Sequence, residues 1–147
     1  MKLLNVVFHN PKKQKTIKIE NEKYYDLEDV QYKPQIKFNI PANKYYTILM
    51  VDPDAPSPDD NYYKHWLHWM IINNNETVID FKPSSPPPGK PHRYYIYLME
   101  QLNKLDLKSH LINKREKFPL DKFISDNKLK LLAGVMYQTE KKVNLDK

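Results

Sequence analysis

The sequence predicts a mainly β fold, with residues 1–147 as one domain. Three observations carry this. Segments 15–20 and 35–40 alternate polar and apolar residues with the period of a half-buried strand. Four longer runs, 45–51, 65–72, 92–99 and 131–137, are dense in Val, Ile, Leu, Met and aromatic residues. A convincing helix start is found once, at 119–128.

In chain order, residues 1–48 read as strands joined by short polar turns, with Pro34 and Pro41 bracketing one of them. Run 45–51 shows little alternation and reads as a strand covered on both faces. It stops at Asp52-Pro53, because proline cannot donate to a ladder and restricts the residue before it. In run 65–72, strict alternation places Trp66, His68, Met70 and Ile72 on one face and His65, Leu67, Trp69 and Ile71 on the other. Asn73-Asn74-Asn75 is a turn, and 77–81 a short strand. Segment 83–91 holds five prolines in nine residues and reads as a stiff loop. It leads into 92–99, where His92, Tyr94, Ile96 and Leu98 share a face. Residues 102–114 favour no single period, and a loop with a helical turn is expected. Pro119 suits a first helical turn, Asp121 favours the positive end of the dipole, and Phe123 can face the core beside Leu120. Run 131–137 is a last core strand, and the charged tail after Glu140 is expected to fray.

Cysteine is absent, so disulfides, thiolate metal sites and a cysteine nucleophile are excluded. That fits a reducing, cytoplasmic compartment. Residues 1–8 are apolar over too short a span for a signal peptide, and no window approaches the ~18 apolar residues of a spanning helix. A soluble cytoplasmic chain with no transmembrane segment is therefore expected. The net charge of +6 comes from lysines scattered along the chain, densest at Lys12, Lys13, Lys15 and Lys18. With no basic helix and no aromatic–basic repeat, this reads as a solvated surface and not as a nucleic-acid site. Arginine occurs only at Arg93 and Arg115, and glycine only at Gly89 and Gly134. Residues so scarce mark positions where a planar fork or an unusual backbone is required.

Four ionisable side chains collect at strand ends beside proline-rich loops: Asp52, Asp54, His68 and His92. Their types permit a metal site, but their spacing matches neither a zincin helix nor a two-His-one-carboxylate pattern. Ser57, Ser84 and Ser85 are available to a hydrolase, but no Gly-x-Ser-x-Gly elbow holds them. A glycine-rich phosphate loop is ruled out. An anion pocket remains. Carboxylates bonded to imidazoles favour imidazolium, whose N–H groups can point at an anion. Tyr94 adds a hydroxyl, and Trp66 with Met70 would form a wall. Taken singly, each aspartate reads as a turn cap and each histidine as a core residue. Their gathering is what points to a site. His65, on the opposite face, reads as structural or exposed.

Asp52-Pro53-Asp54-Ala55-Pro56-Ser57 followed by Trp66-Leu67-His68-Trp69 resembles the first signature of the phosphatidylethanolamine-binding protein family, which includes Raf kinase inhibitor protein and the plant flowering regulators. Pro86-Pro87-Pro88-Gly89, then His92-Arg93-Tyr94 and Glu100-Gln101, resembles its second signature. Arg115 with Phe118, and Ala133-Gly134-Val135, resemble its C-terminal pattern. The resemblance implies a large central antiparallel sheet, a smaller sheet and a few peripheral helices. It implies a small pocket for a phosphate-containing ligand or phospholipid head group, lined by Asp52, Asp54, His68, His92 and Tyr94, with Pro88 nearby. Trp66, Gly89, Arg93, Arg115 and Gly134 are implied to be structural, with Arg93 pointing away. No catalytic residue, metal or cofactor is implied. The function implied is non-enzymatic binding and regulation, with a signalling kinase as one partner. The alternative is an interaction inhibitor of a protease or kinase with a vestigial pocket. Two departures stand out. The second loop is short of glycine and brings Lys90 toward the mouth. The chain also ends soon after Tyr137, where many relatives continue into a helix, so a more open rim is expected.

Overall fold

The computed structural model describes residues 2–107 and 112–142. In order, the elements are β1 (Lys2–Leu3), β2 (Asn5–Asn10), β3 (Lys15–Lys18), β4 (Lys23–Tyr24), a 3-10 turn at Leu27–Val30, β5 (Gln35–Lys37), β6 (Tyr45–Asp52), β7 (Trp66–Ile72), β8 (Glu76–Ile79), β9 (His92–Gln101), α1 (Leu120–Asp126) and β10 (Lys130–Thr139). The large sheet runs β1-β10-β9-β6-β7-β8, with β4 also on β10; the small sheet is β3-β2-β5.

The body of the large sheet is antiparallel. β1 and β4 add to β10 in parallel, so the sheet is mixed rather than purely antiparallel. These additions are two residues long, too short to show a period. The turn between β7 and β8 has positive φ at Asn73 (52°) and Asn74 (73°). Asparagine tolerates that region, and the right-handed twist of a hairpin favours it.

Both faces of the large sheet are covered, which explains the missing alternation in β6. On one face Ile48, Met50, Trp69, Tyr94, Ile96 and Tyr137 pack against Val6, Phe8 and Ile17 of the small sheet. On the other, Leu49, Val51, Leu67, Met70 and Met99 pack against Phe118, Leu120 and Phe123 at and beside α1. Each such side chain stabilises the fold by about 1.5–3 kcal/mol relative to its exposed state. Pro119 stands just before α1 and its carbonyl accepts from the Phe123 N–H (2.9 Å). Among residues 102–114, those at 102–107 and 112–114 are irregular, and the remainder of that stretch lies outside the described residues, as does the tail from 143. Among the described residues no helix is long and apolar enough to cross a membrane.

Candidate functional site

Two carboxylates two residues apart take two neighbouring partners on β9. Asp52, the last residue of β6, accepts the Asp54 N–H at Oδ1 (2.7 Å) and His92 Nδ1–H at Oδ2 (2.7 Å). Both the Asp52 and His92 side chains are buried. Asp54 turns the other way. Its Oδ2 accepts from the Arg93 backbone N–H (2.7 Å) and Nε (3.0 Å), and its Oδ1 from a terminal guanidinium nitrogen (2.9 Å). Burial pushes the Asp54 carboxyl up, but the Arg93 hydrogen bonds and charge outweigh it and hold the group below the ordinary value of 3.8. The Arg93 guanidinium is raised in turn, chiefly by its hydrogen bond to Asp54.

His68 owes its position to a β-bulge. Met50 pairs with Trp69 and Val51 with Leu67, so His68 is an extra residue between them. The bulge puts Leu67 and Met70 on the same side of the sheet, in the core against α1. Met70 therefore does not wall the site, contrary to strict alternation. His68 faces Trp66 (ring centroids 4.7 Å apart) and Tyr94 (5.3 Å). Arg115 holds the bulge by donating to the carbonyls of Leu67 (3.1 Å), His68 (3.0 Å) and Asp80 (2.8 Å).

The Lys82 carbonyl lies 2.7 Å from His68 Nδ1. A carbonyl only accepts, so Nδ1 carries the proton and Nε2 is left with a lone pair. Burial pulls the His68 pKa down to about 4, although the Lys82 carbonyl and the Asp52 charge pull the other way. At neutral pH His68 is thus a neutral imidazole. The imidazolium expected from carboxylate pairing does not form here, because Asp52 is bonded to His92 and His68 has a carbonyl partner instead.

These groups open on a cavity of about 260 Å³. Asp52, His68, His92 and Tyr94 line it, together with Ala55, Pro56, Tyr63 and Trp66 from the first loop and strand. The second loop contributes Lys82, Pro83, Ser85, Pro86 and Pro87. Burial raises the Tyr94 hydroxyl pKa, and the ring stacks on Tyr137 at 5.3 Å. Tyr137 and Ser84 share a buried hydrogen bond of 2.6 Å.

Several expected positions differ. Asp54 is absent from the cavity wall, because its carboxylate follows Arg93 to the opposite side of β9. Pro88 is replaced on the wall by Pro86 and Pro87, and bridges to Lys141. Lys90 pairs with Asp59 (3.0 Å) on the surface, and the cavity's lysine is Lys82. Trp66, structural by resemblance but expected on the wall from its strand face, lines the cavity. Gly89 has φ of +143°, a conformation that a side chain would strain. Gly134 sits in β10, paired with Leu3 and Tyr97. Lys82 and Tyr63 carried no sequence signal apart from their closeness to the two motifs. Among the described residues no group of three or more His, Asp or Glu converges as a metal ion would need.

Comparison with known proteins places the chain in a family. The family model described as phosphatidylethanolamine-binding protein matches residues 9–75. A phosphatidylethanolamine-binding protein homolog of Acanthamoeba polyphaga mimivirus is 43% identical over 130 residues, which cover 84% of this chain and 91% of that protein. A putative odorant-binding protein of Drosophila melanogaster is 32% identical over 112 residues, 71% of this chain and 51% of the fly protein. Among solved structures, carboxypeptidase Y inhibitor, complexed with its cognate proteinase, superposes with a TM-score of 0.75 at 21% identity, over 96% of this chain and 85% of the inhibitor. A phosphatidylethanolamine-binding protein from Plasmodium vivax gives 0.73 at 21% identity, over 97% and 88%. At those identities the two structures speak to the fold alone.

Proposed function

The chain belongs to the phosphatidylethanolamine-binding protein family, and on that premise we propose that its cavity binds a small phosphate-bearing ligand without transforming it. One observation carries the reading: two buried histidines, each held at Nδ1 by the protein, line one small cavity with a lysine. With Nδ1 engaged, Nε2 is the ring nitrogen that each has left for a ligand. A phosphate monoanion matches this set. Its P–O–H can donate to the lone pair on His68 Nε2, and its anionic oxygens can accept from Lys82. A proton between His92 Nε2 and a phosphate oxygen bridges the two from whichever side supplies it. Tyr63, Trp66 and the proline-rich loop supply apolar walls, the usual surroundings of a few convergent polar groups.

Binding rather than turnover is supported by the placing of the serines. Ser84 is buried in a hydrogen bond with Tyr137, Ser57 is not on the cavity wall, and Ser85, which lines the cavity, makes no hydrogen bond to His68 or His92. The test is an NMR titration of the imidazole resonances with inorganic phosphate. His68 and His92 should shift together and saturate in the millimolar range or below, while His9, on the exposed side of β2, stays still. Unmoved His68 and His92 signals at about 10 mM phosphate would overturn the reading; that concentration lies well above the roughly millimolar dissociation constant of a 4 kcal/mol interaction.

A further inference from the structure

The cavity's lysine, Lys82, belongs to neither motif. Lys82 is locked to His68 through its backbone: its N–H donates to the His68 carbonyl (2.9 Å) and its own carbonyl accepts from His68 Nδ1 (2.7 Å). Pro83 follows and narrows its backbone freedom. From this anchored position the side chain lines the cavity and places Nζ 5.2 Å from the centre of the Trp66 ring. Arg115 lies 5.5 Å from the same centre. Among the described residues no carboxylate lies within ion-pair distance of Lys82 Nζ.

This arrangement acts on any ligand that brings its own cation. An ammonium entering an aromatic cavity is ordinarily held by a ring face or a carboxylate. Here the Trp66 ring already has two protein cations over it. Asp52 is the carboxylate on the cavity wall, and each of its oxygens already accepts a hydrogen bond. A third cation would meet repulsion from Lys82 and Arg115, offset only in part by the Asp52 charge, which already faces His92. An anion, by contrast, gains an ammonium that the protein leaves without an acidic partner.

We propose that Lys82 is the specificity-determining residue of the cavity, and that it selects phosphomonoester anions over head groups that carry an ammonium beside the phosphate. The proposal rests on the phosphate-binding reading above and narrows it. The chemistry is shared by soluble phosphomonoesters and by a lipid phosphomonoester head group.

Two probes of similar size separate the charge effect, glycerol 3-phosphate and O-phosphorylethanolamine. Titrated into the full chain and followed at the histidine resonances, glycerol 3-phosphate should bind about tenfold more tightly, the worth of one hydrogen bond to a charged group. Lys82→Met should lose about that factor for glycerol 3-phosphate and bring the two probes level, while Lys82→Arg keeps the preference. An unchanged His68 spectrum in the free Lys82→Met variant shows that its backbone bonds persist. Equal affinities in the natural chain, or a preference that survives in Lys82→Met, would overturn the proposal and leave the binding reading intact. Failure of both probes to shift the histidines would overturn both. Co-sedimentation with phosphatidylcholine vesicles containing phosphatidic acid then assigns the source. Retention that needs Lys82 supports the lipid form of the class, and absence of retention alongside glycerol 3-phosphate binding supports the soluble form.

Discussion

Asp52 and Asp54 are the same residue type, two positions apart where β6 gives way to its loop, and they do different work. Asp52 meets His92, and the pair is buried beside the cavity. Asp54 meets Arg93, whose side chain is 45% exposed, on the other side of β9. The split follows from strand geometry. Residues 92 and 93 are consecutive in β9, so their side chains leave on opposite faces. The end of β6 and the start of its loop therefore send one acid to each face of β9. The Asp54 fork with Arg93 fastens the loop to the sheet, and Asp52 orients the imidazole that faces a ligand. A paired acid motif thus need not mean a paired acid site.

Removing the fastening should have the largest effect. Asp54→Ala leaves Arg93 without its carboxylate and breaks three hydrogen bonds. A loss of about 3 kcal/mol is expected, with a fall in Tm on the order of 10 °C, readable by thermal unfolding. A loss below about 1 kcal/mol would show that the fork is not what holds the loop. The comparison sharpens further with pH. His68 has its pKa lowered to about 4 from an ordinary 6.5. As pH falls through 6.5 the unfolded chain takes up a proton at this residue that the folded chain does not. Stability should therefore drop by about 3 kcal/mol between pH 6.5 and 4 on account of this residue. The folded Asp54 pKa is also depressed, so its contribution is present above the unfolded value of 3.8 and is lost only at lower pH, as the folded group titrates. Urea unfolding between pH 7 and 4.5 should show the upper window, and His68→Gln should flatten it. A slope unchanged in that variant would assign the window elsewhere.

The smallest expected effect on stability is at the other acid. Asp52→Asn keeps the shape and the acceptor for the Asp54 N–H, and should cost about 1 kcal/mol. Its mark should fall on His92. An amide N–H₂ facing Nδ1 demands a lone pair there, so the proton should move to Nε2. Nitrogen chemical shifts of the ring read that inversion directly. A cost equal to that of Asp54→Ala would erase the distinction between the two pairs.

Much of this was visible in the sequence, for physical reasons that also mark where visibility ends. β6 and β9 were readable because strands covered on both faces need unbroken runs of apolar and aromatic residues, and β10 because its core face carries Ala133, Val135 and Tyr137. β1 and β4 were not, since two residues on a sheet edge have no period. The bulge at His68 was hidden because an inserted residue leaves no mark on an apolar run. Strict alternation therefore placed Met70 in the wrong wall. His92 and Asp52 were recognisable as site candidates by type and by resemblance. The assignment of Asp54 to Arg93 was not, because it depends on which face of a distant strand each neighbour takes. Lys82 was one lysine among many. What singles it out is a backbone pairing with His68, a contact between residues 14 positions apart.

The chain has two tryptophans, and they sit in unlike places. Trp69 is buried edge-on to Phe81, 5.5 Å away, inside the apolar core. Trp66 is partly exposed on the cavity wall under two cations. An indole's emission responds to the charge nearest its ring, so an anion that draws the Lys82 ammonium toward itself changes the field at Trp66 and leaves Trp69 untouched. The cavity thus carries its own optical reporter, with an internal reference in the core beside it.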